Sequence, residues 1–183
     1  MLTATTVHSM KELEQIHQLN QQNLKQHLDA GVQAEEGFLS WLYTTELLEK
    51  MHRLAPSIIV KDGDQVVAYA LTALKESSAF HPDLANMFAH LEQLMYMDRP
   101  LFTYRFYCMG QICVSKKYRG LGLVQQLYEQ HRACYGNQYD FLLTEVATRN
   151  QRSLRAHEKL GFHTIHTYRD ALDEWQVIIW DWK

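Results

Sequence analysis

The 183-residue chain has only three cysteines, and they fit no pattern of paired cysteines. Their odd number argues against a disulfide framework and favours a reducing compartment such as the cytoplasm. Neither a CxxC pair nor an HExxH string occurs, so the sequence predicts no zinc site. We therefore expect no metal in the chemistry of this protein.

The chain also lacks an excess of positive charge, since its net charge is −3 and its pI is about 6.3. This balance predicts binding neither to nucleic acid nor to a membrane surface, so any anion site must be a local basic cluster. No basic-then-apolar leader opens the chain, and no run is apolar enough to cross a bilayer. With 46% hydrophobic and 21% charged residues, we expect one soluble, cytoplasmic domain.

The hydrophobic pattern predicts helices at the start of the chain and a mixed sheet after them. Ser9 and Glu12 form a capping box that opens a first helix, expected to run to about Ala30. Strands are expected over residues 57–61, 65–72, 103–114, 141–146, 163–168 and 175–182. Further helices are expected from Pro82, from the glycines at 120 and 122, and from Asn150 to Gly161. This order of elements predicts an α/β fold.

One segment carries most of the chemical information. An apolar strand ending at Val114 runs into a basic turn, and Gly120 and Gly122 then open a helix. Glycines let a ligand approach the backbone, and a helix start offers free amides and partial positive charge, so together they can hold a pyrophosphate. The turn adds local positive charge through Lys116, Lys117 and Arg119. Taken alone, this pattern is more often a plain strand–turn–helix junction, and neither a P-loop nor a dinucleotide fingerprint accompanies it.

The frame from Lys117 to Gly122 resembles the cofactor motif of the GNAT superfamily of N-acetyltransferases. A second block, residues 150–162, is similar to that family's second characteristic block. Lys117 replaces the usual arginine or glutamine, Val124 a small residue, and His157 the usual tyrosine. The two blocks have the family's order and separation, and the specific match covers residues 109–165.

This resemblance implies a mixed, mostly antiparallel central sheet flanked by helices, with acetyl-CoA between two splayed parallel strands, here 109–114 and 141–146. Residues 1–183 would form one acetyltransferase domain whose cofactor-binding core is about 103–165. The pantetheine arm would pair with the backbone of Ile112, Cys113 and Val114. The pyrophosphate would lie against Lys117, Tyr118, Arg119, Gly120, Leu121, Gly122, Leu123 and Val124. The opposite flank would be formed by Asn150, Ser153 and His157.

The resemblance also implies a direct attack of a primary amine on the thioester, with a backbone amide polarising the carbonyl. His157 is a candidate proton donor to the leaving thiolate, since a free histidine has a pKa of about 6.5. The alternative is that His157 only packs or hydrogen-bonds near the sulfur. Glu145 ends an apolar strand, where burial would raise the pKa of its carboxyl and suit a general base. The alternative is a structural carboxylate paired with Arg149, Arg152 or Arg155.

Several assignments stay open on the sequence alone. Gln111, Glu35 and Glu36 are weaker candidates for contact with the amine. An acyl-enzyme at Cys113 is a rival chemistry, although its place in the motif favours core filling. A non-catalytic acyl-CoA-binding or regulatory protein of the same fold is the alternative function. The acceptor is expected to be an amine of a small molecule or a peptide, and exposed strands near residues 175–182 leave a homodimer open.

Overall fold

A seven-stranded sheet organises the computed structural model, which describes residues 1–24, 39, 41–171 and 173–183. The strands are β1 (Leu2–Thr6), β2 (Ile58–Asp62), β3 (Gln65–Ala73), β6 (Phe106–Val114), β7 (Phe141–Ala147), β8 (His163–Arg169) and β9 (Glu174–Asp181), and a separate hairpin pairs β4 (Met95–Tyr96) with β5 (Arg99–Pro100). The spatial order is β1-β2-β3-β6-β7-β9-β8, and among these described strands β6 and β7 are the one parallel pair. The predicted mixed, mostly antiparallel sheet is confirmed.

Helices cover both faces of this sheet. They are α1 (Met10–Gln22), α2 (Thr45–Leu54), α3 (Pro82–Leu91), α4 (Leu123–Tyr135) and α5 (Gln151–Glu158). Because strand side chains alternate between faces, Ile59, Tyr69 and Leu71 pack in the layer of α1 to α3. Their neighbours Val60 and Ala70 pack in the second layer, with α4. None of the described helices has the length and hydropathy needed to cross a membrane.

Most predicted boundaries hold within a few residues, but two predictions were wrong. The first helix ends at Gln22 rather than near Ala30, because Asn23 closes the last turn through hydrogen bonds to the carbonyls of Asn20 and Leu19. Residues 25–30 of that prediction lie outside the described part. The strand expected from residue 103 begins only at Phe106, since 101–103 form a 3-10 turn. Strand β1 and the β4–β5 hairpin were not predicted.

The parallel pair separates soon after it forms. β6 and β7 pair only from Phe106 with Phe141 to Cys108 with Leu143. Next along the strands, the Thr144 hydroxyl donates to the Met109 carbonyl at 2.9 Å, and a bulge interrupts the pairing of β6 with β3. Within the described residues, the β7-facing edge of β6 therefore has no strand partner beyond this point, as splayed strands require.

The connection between β3 and β6 is far longer than its geometry demands. These strands are antiparallel neighbours, which a turn of two to five residues could join. Residues 74–105 instead form two 3-10 turns, α3 and the β4–β5 hairpin, a segment we call the β3–β6 excursion. The excursion places α3 over the sheet, where Leu84, Phe88 and Leu91 are buried in the core.

Candidate active site

A cleft of about 560 Å³ opens where β6 and β7 separate, and we call it the basic cleft. It lies between the end of β6, the turn that follows it, the start of α4, and α5. Most of the predicted cofactor contacts line it: Ile112, Cys113, Val114, Tyr118, Arg119, Gly120, Gly122, Leu123, Val124, Asn150, Ser153 and His157. Lys117 and Leu121 are exposed and do not line it, because they occupy the outer side of the turn.

The glycines of this turn have the backbone that the motif needs. Gly120 has φ +80° and Gly122 has φ +74°, a left-handed region that other residues rarely adopt. A side chain built on either glycine would meet nothing within 4 Å, so the backbone faces open space. Gly122 is the N-cap of α4 and contributes no side chain to cover its first amides. This helix start therefore offers uncovered amide donors to an anion.

The positive charge of the basic cleft comes mostly from residues that the prediction did not include. Arg152, Arg155 and Lys159 line it from α5 and its C-cap, and their spacing of three and four residues places them on one helix face. That spacing was readable in the sequence. Arg119 also lines the cleft, with Nε donating to the Val114 carbonyl and Nη2 to Asn23. No carboxylate is among the described lining residues.

A second cleft of about 650 Å³ lies toward the sheet face that α3 covers, and we call it the acidic cleft. The two clefts share a wall that includes Ile112, Asn150, Ser153 and His157. Three carboxylates line the acidic cleft, those of Asp83, Glu145 and Asp170. Its aromatic side chains are Trp41, Tyr43, Tyr168 and Trp175. The excursion contributes Asp83, Leu84, Asn86, Met87 and His90.

Glu145 projects from β7 just beyond the point of separation. The Tyr168 hydroxyl donates to its Oε2 at 3.0 Å, while Oε1 is buried with no hydrogen-bond partner among the described residues. Burial raises the pKa of the Glu145 carboxyl to about 7, and the nearby charge of Asp170 acts in the same direction. Its partner is thus a tyrosine rather than one of the arginines considered above, and Arg149 pairs instead with Asp173 at 2.6 Å.

His157 lies in the wall between the clefts with both ring nitrogens engaged. Nδ1 is 2.7 Å from the Ser153 carbonyl, which can only accept, so this nitrogen carries the proton. Nε2 then accepts from the Tyr128 hydroxyl at 2.6 Å. Burial lowers the pKa of His157 to about 4, which keeps the ring neutral at neutral pH. This geometry favours the packing and hydrogen-bonding alternative over the predicted role as proton donor.

Other weaker candidates have structural roles. The Gln111 side chain accepts from the Tyr69 hydroxyl at 2.6 Å and donates to the Trp41 carbonyl at 3.0 Å, so it holds a cleft wall rather than an amine. The Cys113 thiol is buried, and burial raises its pKa to about 12, which disfavours a nucleophilic thiolate. Glu35 and Glu36 lie outside the described residues.

The sequence matches the model of the acetyltransferase (GNAT) family over residues 13–162, and the chain belongs to this family. Among solved structures it is similar to the ribosomal-protein-S18-alanine N-acetyltransferase from Escherichia coli, with 13% identity, a TM-score of 0.65, and coverage of 99% of this chain and 94% of that one. It is also similar to an N-acetyltransferase from Staphylococcus aureus Mu50, with 16% identity, a TM-score of 0.65, and coverage of 100% of this chain and 99% of that one. A third similar structure is Arabidopsis thaliana Naa50, solved with a bisubstrate analogue CoA-Ac-MVNAL. Its identity is 13% and its TM-score 0.63, with coverage of 98% of each chain. A comparison with curated protein sequences finds no significant match.

Proposed function

We propose that the protein transfers the acetyl group of acetyl-CoA directly to a primary amine. One observation carries the proposal: a basic cleft and an acidic cleft meet at a shared wall, and the acidic side holds a buried carboxylate oxygen to which no described residue donates a hydrogen bond. Such a pair of clefts suits an anionic donor and a cationic acceptor that approach each other from opposite sides. Because the reaction is a displacement between two bound molecules, holding both in place is itself a large part of the catalysis.

The residues of the basic cleft fit acetyl-CoA. Open space at Gly120 and Gly122 suits the pyrophosphate, and the cationic α5 face formed by Arg152, Arg155 and Lys159 suits the same or a further phosphate. The β7-facing edge of β6 after Met109, which no described strand pairs with, can pair with an amide-containing arm. Bound acetyl-CoA would supply an activated acetyl group as a thioester. Starting from the ammonium form of the acceptor, an N–C bond forms and the C–S bond breaks, while nitrogen loses two protons, one to a general base and one to solvent, and sulfur gains one.

Glu145 is the proposed general base. An alkylamine has a pKa of about 10.4 and arrives mostly protonated at neutral pH. The Glu145 carboxyl, with a pKa of about 7, is poised to take that proton through Oε1, which has no hydrogen-bond partner in the described part of the chain. Tyr168 holds the other oxygen and fixes the orientation of the carboxylate. Tyr168 is therefore a positioning residue.

For His157 we propose a positioning role at the junction, since it joins Tyr128 of α4 to the Ser153 carbonyl of α5. The proton that sulfur gains can come from solvent, because a thiol of pKa about 8.5 leaves with modest help. The earlier hypothesis, that His157 itself donates, stays a prediction that mutation can test.

A screen of amines tests the proposal as a whole. The purified protein is mixed with acetyl-CoA and a panel of alkylamines, amino acids and short peptides, and free CoA is measured together with the acetylated product by mass spectrometry. Peptides belong in the panel because the NatC complex of similar fold was solved with a peptide and CoA. We expect amine-dependent CoA release with matching product. Tight CoA binding without turnover of any amine would favour the non-catalytic alternative.

A further inference from the structure

The carboxylates of the acidic cleft lie on two different walls. Asp83 stands at the start of α3, near Tyr43, whose pKa its charge helps to raise. Glu145 and Asp170 stand on the side of β7 and β8, close enough for Asp170 to raise the pKa of Glu145. The described lining includes one guanidinium, Arg169, and its Nη2 lies 3.3 Å from Glu174. The cleft is therefore negative at more than one place.

A second observation points independently to a ligand. Glu145 Oε1 is a buried hydrogen-bond acceptor without a partner among the described residues, and leaving such an atom unsatisfied is costly. One N–H donor of a bound ligand would satisfy this oxygen. The side chains around it add aromatic faces, since the Tyr168 ring lies 3.8 Å from that of His90 and the Trp41 ring 3.9 Å from that of Tyr43. Aromatic faces attract ammonium groups.

Neither histidine of the cleft offsets this negative charge. Burial lowers the pKa of His157 to about 4, and burial also lowers that of His90, with His166 contributing. Both rings are accordingly neutral at neutral pH. Across the shared wall the sign reverses, because Arg152, Arg155 and Lys159 line the basic cleft. A cation is thus attracted to one side of the wall and an anion to the other.

Resting on the proposed function, we infer that the acceptor is an aliphatic amine that carries a second positive charge. Its reacting nitrogen lies at Glu145, and its second cationic group lies toward Asp83 on the β3–β6 excursion. This gives the excursion a role: it brings a carboxylate of α3 to the cleft that Glu145 lines from the sheet. The excursion therefore selects the acceptor by its second charge, while Glu145 of β7 contacts the reacting nitrogen.

Three probes of equal chain length test this inference: cadaverine, n-pentylamine and 5-aminovalerate. They share the reacting amine and differ at the far end, which is positive, neutral or negative. Their binding to the CoA-saturated protein is measured by calorimetry, and their acetylation by product mass. We expect cadaverine to bind about tenfold more tightly than pentylamine, with aminovalerate weakest, as a charge pair near a protein surface implies.

Two matched variants locate the effect. Asp83→Asn removes one carboxylate of the cleft, and Glu92→Gln removes one from the same excursion outside the cleft. Asp83 is exposed, so we expect Asp83→Asn to reduce the preference for cadaverine over pentylamine by about threefold to fivefold. Glu92→Gln should leave the preference unchanged, and pentylamine should bind both variants as it binds the unaltered protein.

The outcomes separate this inference from the proposed function. If pentylamine is acetylated but binds as tightly as cadaverine, the acceptor class is overturned while the acetyltransferase proposal stands. If cadaverine binds selectively but no probe is acetylated, the cationic acceptor site stands and the proposed reaction loses support. If none of the three probes binds, or if Asp83→Asn and Glu92→Gln change the preference equally, the inference is overturned.

Discussion

The two clefts differ in charge and in how the chain builds them. The basic cleft comes mainly from two continuous stretches, residues 112–125 and 150–160. The acidic cleft is assembled from several short ones, residues 39, 41–43, 83–90, 109–112, 144–147, 150–157, 168–170 and 175. A continuous stretch keeps its shape through local hydrogen bonds and backbone angles, whereas an assembled cleft depends on tertiary packing. The shape of the basic cleft is therefore set mainly by local structure, and that of the acidic cleft by contacts between distant parts of the chain.

The largest effect is expected on the acidic side. Glu145→Gln keeps the size and the contact with Tyr168 but removes the base, so kcat should fall by about 100-fold or more. Affinity for CoA, measured by calorimetry, should not change, because Glu145 does not line the basic cleft. Glu129→Gln, an exposed change on α4, is the control. Full activity of Glu145→Gln on a good acceptor would remove Glu145 from the mechanism.

In the basic cleft we expect the opposite: a substitution should remove acetyl-CoA binding. Gly120→Glu places a negative charge where the phosphates approach and strains a residue at φ +80°, so binding of acetyl-CoA should be lost. The matched control is Gly63→Glu in the β2–β3 turn, which has φ +58° and the same open surroundings. It should suffer a similar strain and keep its affinity. Equal affinity in the two variants, measured by calorimetry, would show that the pyrophosphate does not lie at this turn.

The same contrast explains what the sequence could reveal. Gly120, Gly122 and Asn150 act within a few residues of their own position, so the pattern alone located them. The surroundings of Glu145 depend on Tyr168, which reaches it through the pairing of β7 with β9 and of β9 with β8. No local pattern encodes that contact.

For His157, too, the sequence predicted the position but not the contacts. Its place in the motif was evident, but the Tyr128 hydroxyl that engages it belongs to another helix. The end of α1 was missed for a smaller reason, because helical spacing of apolar residues continued beyond Asn23 while its side chain had already capped the helix. The sequence thus predicted where a residue lies when neighbouring residues determine its place, but it did not predict contacts with side chains from other elements.

His157 tests how strongly the shared wall couples the clefts. His157→Ala removes two hydrogen bonds and leaves Tyr128 buried without its partner, so the free energy of unfolding at pH 7 should fall by about 2–3 kcal/mol. We expect kcat to fall by about tenfold with little change in acetyl-CoA affinity, and His157→Tyr to recover part of it.

A pH series distinguishes the two roles of His157. The folded pKa, about 4, lies below the reference value of 6.5. The contribution of the neutral ring is therefore complete above pH 6.5 and is lost as pH falls through 4. The stability gap between the unaltered protein and His157→Ala should narrow over that window in chemical denaturation. A loss of kcat without any loss of stability would instead support direct proton donation.

The role of Glu145 in the acidic cleft can be tested through Tyr168 and the pH dependence of the rate. Glu145 must be deprotonated to act, so kcat/KM should rise with pH along a limb centred at about 7. The hydrogen bond from Tyr168 lowers the pKa of Glu145, and its removal in Tyr168→Phe should move the limb to higher pH and cost several-fold in rate at pH 7. Glu145→Gln should abolish the limb altogether and leave only that of the amine. An unshifted limb in Tyr168→Phe would assign it to another group.

The smallest effect is expected at Asn150, which lines both clefts and caps α5. Its Oδ1 accepts from the Ser153 amide at 3.3 Å, and Asn150→Ala should lower the free energy of unfolding by about 1 kcal/mol, or Tm by about 2–4 °C. Thr44→Ala is the matched control, because Thr44 caps α2 in the same way, accepting from the Leu47 amide at 3.2 Å, and lines neither cleft. Both variants should lose similar stability, but only Asn150→Ala should weaken both acetyl-CoA and amine binding, by a few-fold each, since α5 carries the wall that the clefts share. If the two variants bind both ligands equally well, the cap serves stability alone and the clefts do not depend on the start of α5.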